Sequence, residues 1–311
     1  MEVTFYKKNI IPLRAKCLML LLTGVCFVTT AYTQEDATNR QYLFNLLNVN
    51  PAYAGTRGLT SITTSFHKQW AGVPGSPRTG IFSIDAPISE HHLGLGLQLY
   101  DNTLGMEHTS GVNMSFATIL NLADDELISM GLQAGLMNYR IDRTSVALPF
   151  QDDPAFQYNT NALMPTAGAG IYYQGPKLYA GLSAPSLLIS TVKVDNIISI
   201  NSPTLNNLQL LFTAGTWAQL GDDFQVKPSV FLKWMRGKVF DVHINTTVWI
   251  KDRVGIGASY RADDAILGIL ELKISDKLSF GYSYGSSIGD KGVFSQGSHE
   301  AIIRLNLGSN E

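Results

Sequence analysis

An all-β transmembrane antiparallel barrel of about 14 strands, preceded by a cleaved signal peptide, is the fold class this sequence predicts, and three observations predict it. From Leu59 onward, segments of roughly 9 to 13 residues alternate apolar with small or polar side chains, the period of two that leaves one face greasy and one wet. The connections between segments alternate between very short and longer, as they do when tight turns lie on one side of a bilayer and loops on the other. Charged residues make up only 15% of the chain, against about 25% in typical soluble domains.

In chain order the first two candidate strands are 59 to 70 and 79 to 88. In 93 to 102, Leu93, Leu95, Leu97 and Leu99 alternate with Gly94, Gly96 and Gln98. The next two, 108 to 120 and 126 to 138, gather Val112, Met114, Phe116 and Leu120, then Ile128, Met130, Leu132, Ala134 and Leu136, on one parity. The patterns at 166 to 174, 177 to 185, 208 to 218 and 224 to 234 are weaker. In 239 to 250 the apolar parity holds Phe240, Val242, Ile244, Val248 and Ile250. In 253 to 262, Val254, Ile256, Ala258 and Tyr260 face away from Gly255, Gly257, Ser259 and Arg261. The last three are 265 to 274, 277 to 286, which carries Leu278, Phe280, Tyr282 and Tyr284, and 298 to 307. Each is near the ~9 to 11 residues that a tilted membrane strand needs.

Every long connection is odd-numbered, including the stretches from Tyr139 to Pro165 and from Ser186 to Asn207. With the N-terminus in the periplasm these two become surface loops and the short turns become periplasmic. The expected organisation is therefore a signal peptide at 1–33, a periplasmic N-terminal segment at 34–58 and an outer-membrane barrel at 59–311.

The signal has the usual three parts. Lys7, Lys8, Arg14 and Lys16 precede an apolar stretch from Cys17 to Val28, and small residues around Ala31 and Thr33 suit signal peptidase. Val25 and Thr23 do not fit a lipoprotein box at Cys26. Both cysteines leave with the signal, so disulfides, cysteine nucleophiles and thiolate metal sites are excluded from the mature chain. A net charge of -2, with no stripe of Lys or Arg, carries no signature of nucleic-acid binding.

Between signal and barrel, Gln41 to Gly58 is too apolar for a disordered linker and does not alternate, while Asn50, Pro51 and Gly55 mark a constrained turn. The Asn-Pro-Ala-Tyr-Ala-Gly element from Asn50 to Gly55 is followed by Gln69 and Trp70 with Gly72, Gly75, Pro77 and Thr79, and then by Gly94 to Gly105. In these elements and their order the chain closely resembles the PorP/SprF family of type IX secretion system outer-membrane proteins. The resemblance implies an outer-membrane barrel that helps export, or retain at the cell surface, a large secreted protein such as a gliding adhesin. It also implies two partners: a secreted protein with a type IX C-terminal sorting domain, and a periplasmic peptidoglycan-associated component. Outer-membrane lipid would surround the barrel.

Enzymatic chemistry has little support. The chain has no Gly-x-Ser-x-Gly elbow, no HExxH and no phosphate loop. His91 and His92 fall in a tight turn, His108 and His299 at strand edges, and His243 shares its parity with Asp241 and Asn245, which points it into the lumen. Asp142, Asp152 and Asp153 lack an EF-hand pattern, so no metal or other cofactor is expected. Trp70, Trp217, Trp234, Trp249, Tyr172, Tyr173 and Tyr260 read as interfacial anchors. Lys227, Lys233, Asp241, Glu271 and Lys273 share the lumen parity.

Two functions remain. The first is a scaffold or anchor for a secreted protein, with partner contacts expected at Asn50, Pro51, Tyr53 and Gly55, at Gln69 and Trp70, and at the apolar loop residues Leu187, Leu188 and Ile189. The second is a channel for small solutes, resting on barrel size and lumen polarity. Tyr53 is the residue expected either to plug the barrel at its periplasmic mouth or to meet a partner there.

Overall fold

The computed structural model describes residues 42–88, 92–144, 158–189, 208–235, 238–262, 265–288 and 297–308. The signal region, residues 34–41 and loop stretches 145–157 and 190–207 lie outside these. Alternation of apolar and small side chains produces one antiparallel sheet of fifteen segments. They are β1 (Thr60–Lys68), β2 (Arg78–Ile88), β3 (Leu93–Leu104), β4 (Glu107–Ala123), β5 (Glu126–Ile141), β6 (Thr160–Gln174), β7 (Leu178–Ile189), β8 (Gln209–Thr216), β9 (Ala218–Leu220), β10 (Phe224–Met235), β11 (Lys238–Ile250), β12 (Val254–Arg261), β13 (Ala265–Lys273), β14 (Leu278–Ser287) and β15 (Ser298–Leu307). Closure comes from β15 pairing with β1, Thr60 opposite Leu307, which leaves no free edge.

Segments β8 and β9 pair with β10 in one continuous register and form a single strand, so the barrel has fourteen. That register sets Pro228 opposite Thr216 at the interruption, and proline has no N–H to give to the ladder. Just beyond it, Trp217 N donates instead to the Lys177 carbonyl at 3.1 Å.

The expected strands recur, but three ends differ. Asn138 to Ile141 pair with Leu163 back to Thr160, so β5 and β6 project as a hairpin into the stretch read as loop. Segment β7 runs on to Ile189, which places Leu187, Leu188 and Ile189 at a strand end and corrects their reading as loop residues. The register slips beside them, between Ala167 and Ala169, where Gly168 packs on the backbone of Pro185.

The outward face is apolar, as the parity requires. Leu95, Phe116 and Leu132 stand opposite one another across β3, β4 and β5 and are 48%, 46% and 67% exposed. Ile256, Ile266 and Ile303 continue this surface, and bulk solvent would make it an aggregation face. A barrel buries such a band in hydrocarbon.

The orientation set by loop length has a direct test. A protease-cleavable tag inserted between residues 145 and 157 should be cut on intact cells, and one at Ala123, in the short β4–β5 turn, should be protected. Cutting at Ala123 on unbroken cells would invert the assignment.

Candidate functional site

The segment before β1 folds into the barrel. Two short 3-10 turns, Leu46–Asn48 and Pro51–Tyr53, build it, and each is started by an asparagine. The Asn45 carboxamide oxygen accepts from Leu47 N at 3.1 Å, and that of Asn50 accepts from Ala52 N at 3.0 Å. Pro51 fits the first position of its turn because it has no N–H to leave unsatisfied, and it holds Asn50 extended. Gly55 then turns the chain with φ 73°, a conformation that residues with a Cβ rarely adopt.

Polar ties fix this plug to the wall on several sides. Asn45 Nδ2 donates to Ser83 Oγ at 2.7 Å, Gln98 Nε2 to Asn48 Oδ1 at 3.0 Å, and Asn50 Nδ2 to the Ile171 carbonyl at 3.0 Å. Ser183 Oγ donates to the Val49 carbonyl at 2.6 Å, and Asn245 Nδ2 to the Tyr42 hydroxyl at 2.7 Å. Near the end of the plug, Arg57 pairs with the buried Asp85 at 3.0 Å, and the same carboxylate accepts from Gly55 N at 3.4 Å. Where the tied groups are buried, as at Asn45, Ser83, Asn48 and Gln98, each tie satisfies a group whose orphaning would cost about 1–3 kcal/mol.

Apolar packing completes the seat. Tyr42 stacks on Phe231 with ring centroids 4.3 Å apart, and the two cluster with Val49 and Leu211. Phe44 packs with Ile269 and Ile302, while Leu47 packs with Ala54 and Ala117. The lumen parity is therefore apolar at Leu211, Phe231, Ile269, Ile302 and Ala117, and polar where the hydrogen-bonded ties reach the wall. Elsewhere it is glycine: a Cβ on Gly94 would run into the Ala54 carbonyl, one on Gly131 into the backbone of Pro51 and Ala52, and one on Gly170 into the Asn50 side chain.

The motif Asn50 to Gly55 thus lies inside the barrel, with Asn50, Pro51, Ala52 and Ala54 buried. Only its end reaches an opening: Gly55, Thr56, Arg57 and Gly58, with Asp124, Asp125 and Pro176, border a recess of about 1310 Å³ at the short-turn end. Tyr53 is half-buried, edge-on to Tyr172 at 5.3 Å, with the Arg57 guanidinium 5.7 Å from its ring centroid.

The other expected contact residues are not brought to this place. Gln69 is buried and Trp70 half-buried just past the far end of β1; Gln69 N donates to the Pro77 carbonyl at 2.9 Å, and Trp70 takes φ 48°. Leu187 to Ile189 lie at the long-loop end of β7.

Three of the expected interfacial anchors also move. Tyr172 is buried against the plug, and Trp217 and Trp249 line a lumen cavity. Tyr260, 45% exposed, does face outward. His243 points inward as its parity required, with Nε2 3.1 Å from Asp241 Oδ1. Reading residue by residue missed the plug ties at Asn45, Asn48, Ser83, Gln98, Ser183 and Asn245. Their signal was present as three asparagines within six residues, Asn45 to Asn50, set against glycines on one strand parity.

Among solved structures the chain is similar to outer-membrane barrels. The toluene transporter TbuX of Ralstonia pickettii matches at 10% identity and TM-score 0.50 over 84% of this chain and 92% of that one. Omp33 of Acinetobacter baumannii matches at 8% identity and TM-score 0.45 over 80% and 98%. At such identities the likeness is one of fold. No curated protein matches the sequence. The family model described as type IX secretion system membrane protein PorP/SprF matches residues 31–305, nearly the whole chain. With its lipid-facing strands closed into a barrel, this chain belongs to the PorP/SprF family of type IX secretion system membrane proteins and resides in the outer membrane.

Proposed function

We propose that this protein is a scaffold of the type IX machinery that helps export, or anchor at the surface, a large secreted adhesin carrying a C-terminal sorting domain. The observation that carries this reading is the plug. A solute pore needs a continuous wet path, whereas here an internal segment is hydrogen-bonded to β2, β3, β6, β7 and β11 and packed on three apolar clusters. A barrel filled in this way offers its two ends. The long-loop end, with the β5–β6 hairpin and Leu187, is the surface for the secreted chain. The recess around Arg57 at the short-turn end faces the periplasm and suits the peptidoglycan-associated component. No catalytic step and no cofactor belong to this role.

Affinity capture of the barrel from native outer membrane, read by mass spectrometry, should recover both partners, and deleting the protein should strip the adhesin from the cell surface. Wild-type adhesin display in the deletion strain, with steady solute conductance from the purified barrel, would favour the channel instead. Tyr53→Ala separates the plug's own part. Packing on Tyr172 accounts for Tyr53, so the variant should lower barrel stability while adhesin display per folded barrel stays the same. Loss of display from a fully folded, abundant barrel would make Tyr53 a contact residue.

A further inference from the structure

Beneath Phe44 of the plug, on the β10 to β15 side of the lumen, lies a cavity of about 260 Å³. Its walls include Trp249, Leu272 and Ser279, each one residue from a strand end at the short-turn side, so it lies toward that end of the barrel. Three charged side chains from separate strands line it: Lys227 on β10, Glu271 on β13 and Arg304 on β15. Lys227 Nζ lies 4.8 Å from the Trp249 ring centroid. Among the described residues, none of the three makes a direct ion pair or side-chain hydrogen bond, and Arg304 Nε is buried without an acceptor.

All three are half-buried around the cavity, so their charged ends face a space large enough for a small ligand, with Glu271 in the field of both cations. Two cations and one carboxylate leave a single net positive charge. This suits a monoanion, and the Glu271 carboxylate disfavours a doubly charged phosphate. Arg304 presents a planar fork that matches a carboxylate, while Trp217, Trp249 and Phe44 offer ring surface to an apolar body. The mixture of a few converging polar groups and aromatic walls is that of a small-ligand site.

We propose that this cavity binds a carboxylate carried on an apolar or aromatic body, with the carboxylate on Arg304 and Lys227 and the body against Trp217 and Trp249. Either a free organic acid or the C-terminus of a periplasmic polypeptide supplies that chemistry. The assignment does not depend on which adhesin the barrel serves.

The test uses the full-length barrel in detergent, followed by tryptophan fluorescence and calorimetry. It is titrated with N-acetylphenylalanine, with a glycyl-glycyl-phenylalanine tripeptide, and with the C-terminal amide of that tripeptide. The two acids should bind saturably and the amide should not. Tighter binding of the tripeptide assigns the site to a chain terminus, and tighter binding of N-acetylphenylalanine to a free acid. Arg304→Gln should weaken acid binding about tenfold or more, the loss expected for one charge-assisted hydrogen-bonded contact. Lys227→Met provides a second variant should Arg304→Gln not fold, with folding checked by heat-modifiable mobility. Equal binding of acid and amide, no binding of any probe, or unchanged binding in the folded variants would each overturn the proposal and leave the cavity as a water-filled pocket.

Discussion

Replacing Gly94 by Val is expected to turn a silent barrel into a conducting one. A Cβ at this position has nowhere to go, because it would overlap the Ala54 carbonyl and approach Gly55 Cα to 3.1 Å. The obstacle is backbone on the plug side and ladder-bonded strand on the other, so neither can yield by turning a rotamer. Overpacking of this kind typically costs 1–3 kcal/mol where it can be absorbed. The plug is tethered to the wall by side chains, whereas β3 is held by two neighbouring strands, so the plug is the part that shifts. Gly131→Val tests the same idea from β5, against Pro51 and Ala52. Gly80→Val and Gly268→Val are the controls, since a Cβ on either would meet nothing within 4 Å beyond its own chain neighbours. In planar bilayers the wild type and both controls should stay closed while the Gly94 and Gly131 variants conduct. Folded Gly94→Val barrels as silent as wild type would mean that the plug does not gate the lumen.

The strands and the plug were legible in the sequence to different degrees, for a physical reason. Lipid acts as a uniform solvent, so every outward position obeys one rule, and Leu93 to Leu99 or Val254 to Tyr260 reveal their face by parity alone. The inward face has no such rule once a segment of the same chain fills it. In β13, Ile266 and Leu270 are exposed while Leu267 and Ile269 are buried, so both parities are apolar and the alternation fades. Of the buried pair, Ile269 answers to Phe44, more than two hundred residues earlier, which no local pattern can show. Asn50 to Gly55 was recognisable as a constrained turn from Pro51 and Gly55, yet its depth in the barrel follows from Gly131, Gly170 and Ser183, three separate strands away. Trp217, Trp249 and Tyr172 were misread for the same cause: aromatic residues near strand ends suit a membrane interface and a lumen wall equally well, and only register decides between them.

The two faces should also respond differently to one and the same charge. Leu132→Arg sets a guanidinium on the lipid side of β5, in the row with Leu95 and Phe116, at a cost of about 2 to 4 kcal/mol near the bilayer midplane. Leu132→Ala removes contact area and keeps the surface apolar, so it should insert almost normally. Gln98→Arg adds its charge on the lumen side, where parity alone would call it harmless. There it replaces a side chain that donates to Asn48 Oδ1 at 3.0 Å and accepts from Asn113 Nδ2 at 3.1 Å, so a larger, donor-only group must break one tie and crowd the plug. The expected results are a large loss of heat-modifiable folded barrel for Leu132→Arg, and for Gln98→Arg near-normal insertion with a leak in bilayers. Insertion defects of equal size in both would show that the lumen face is as intolerant of charge as the lipid face. A silent, normally inserted Gln98→Arg would show that the Asn48 tie is dispensable to the seal.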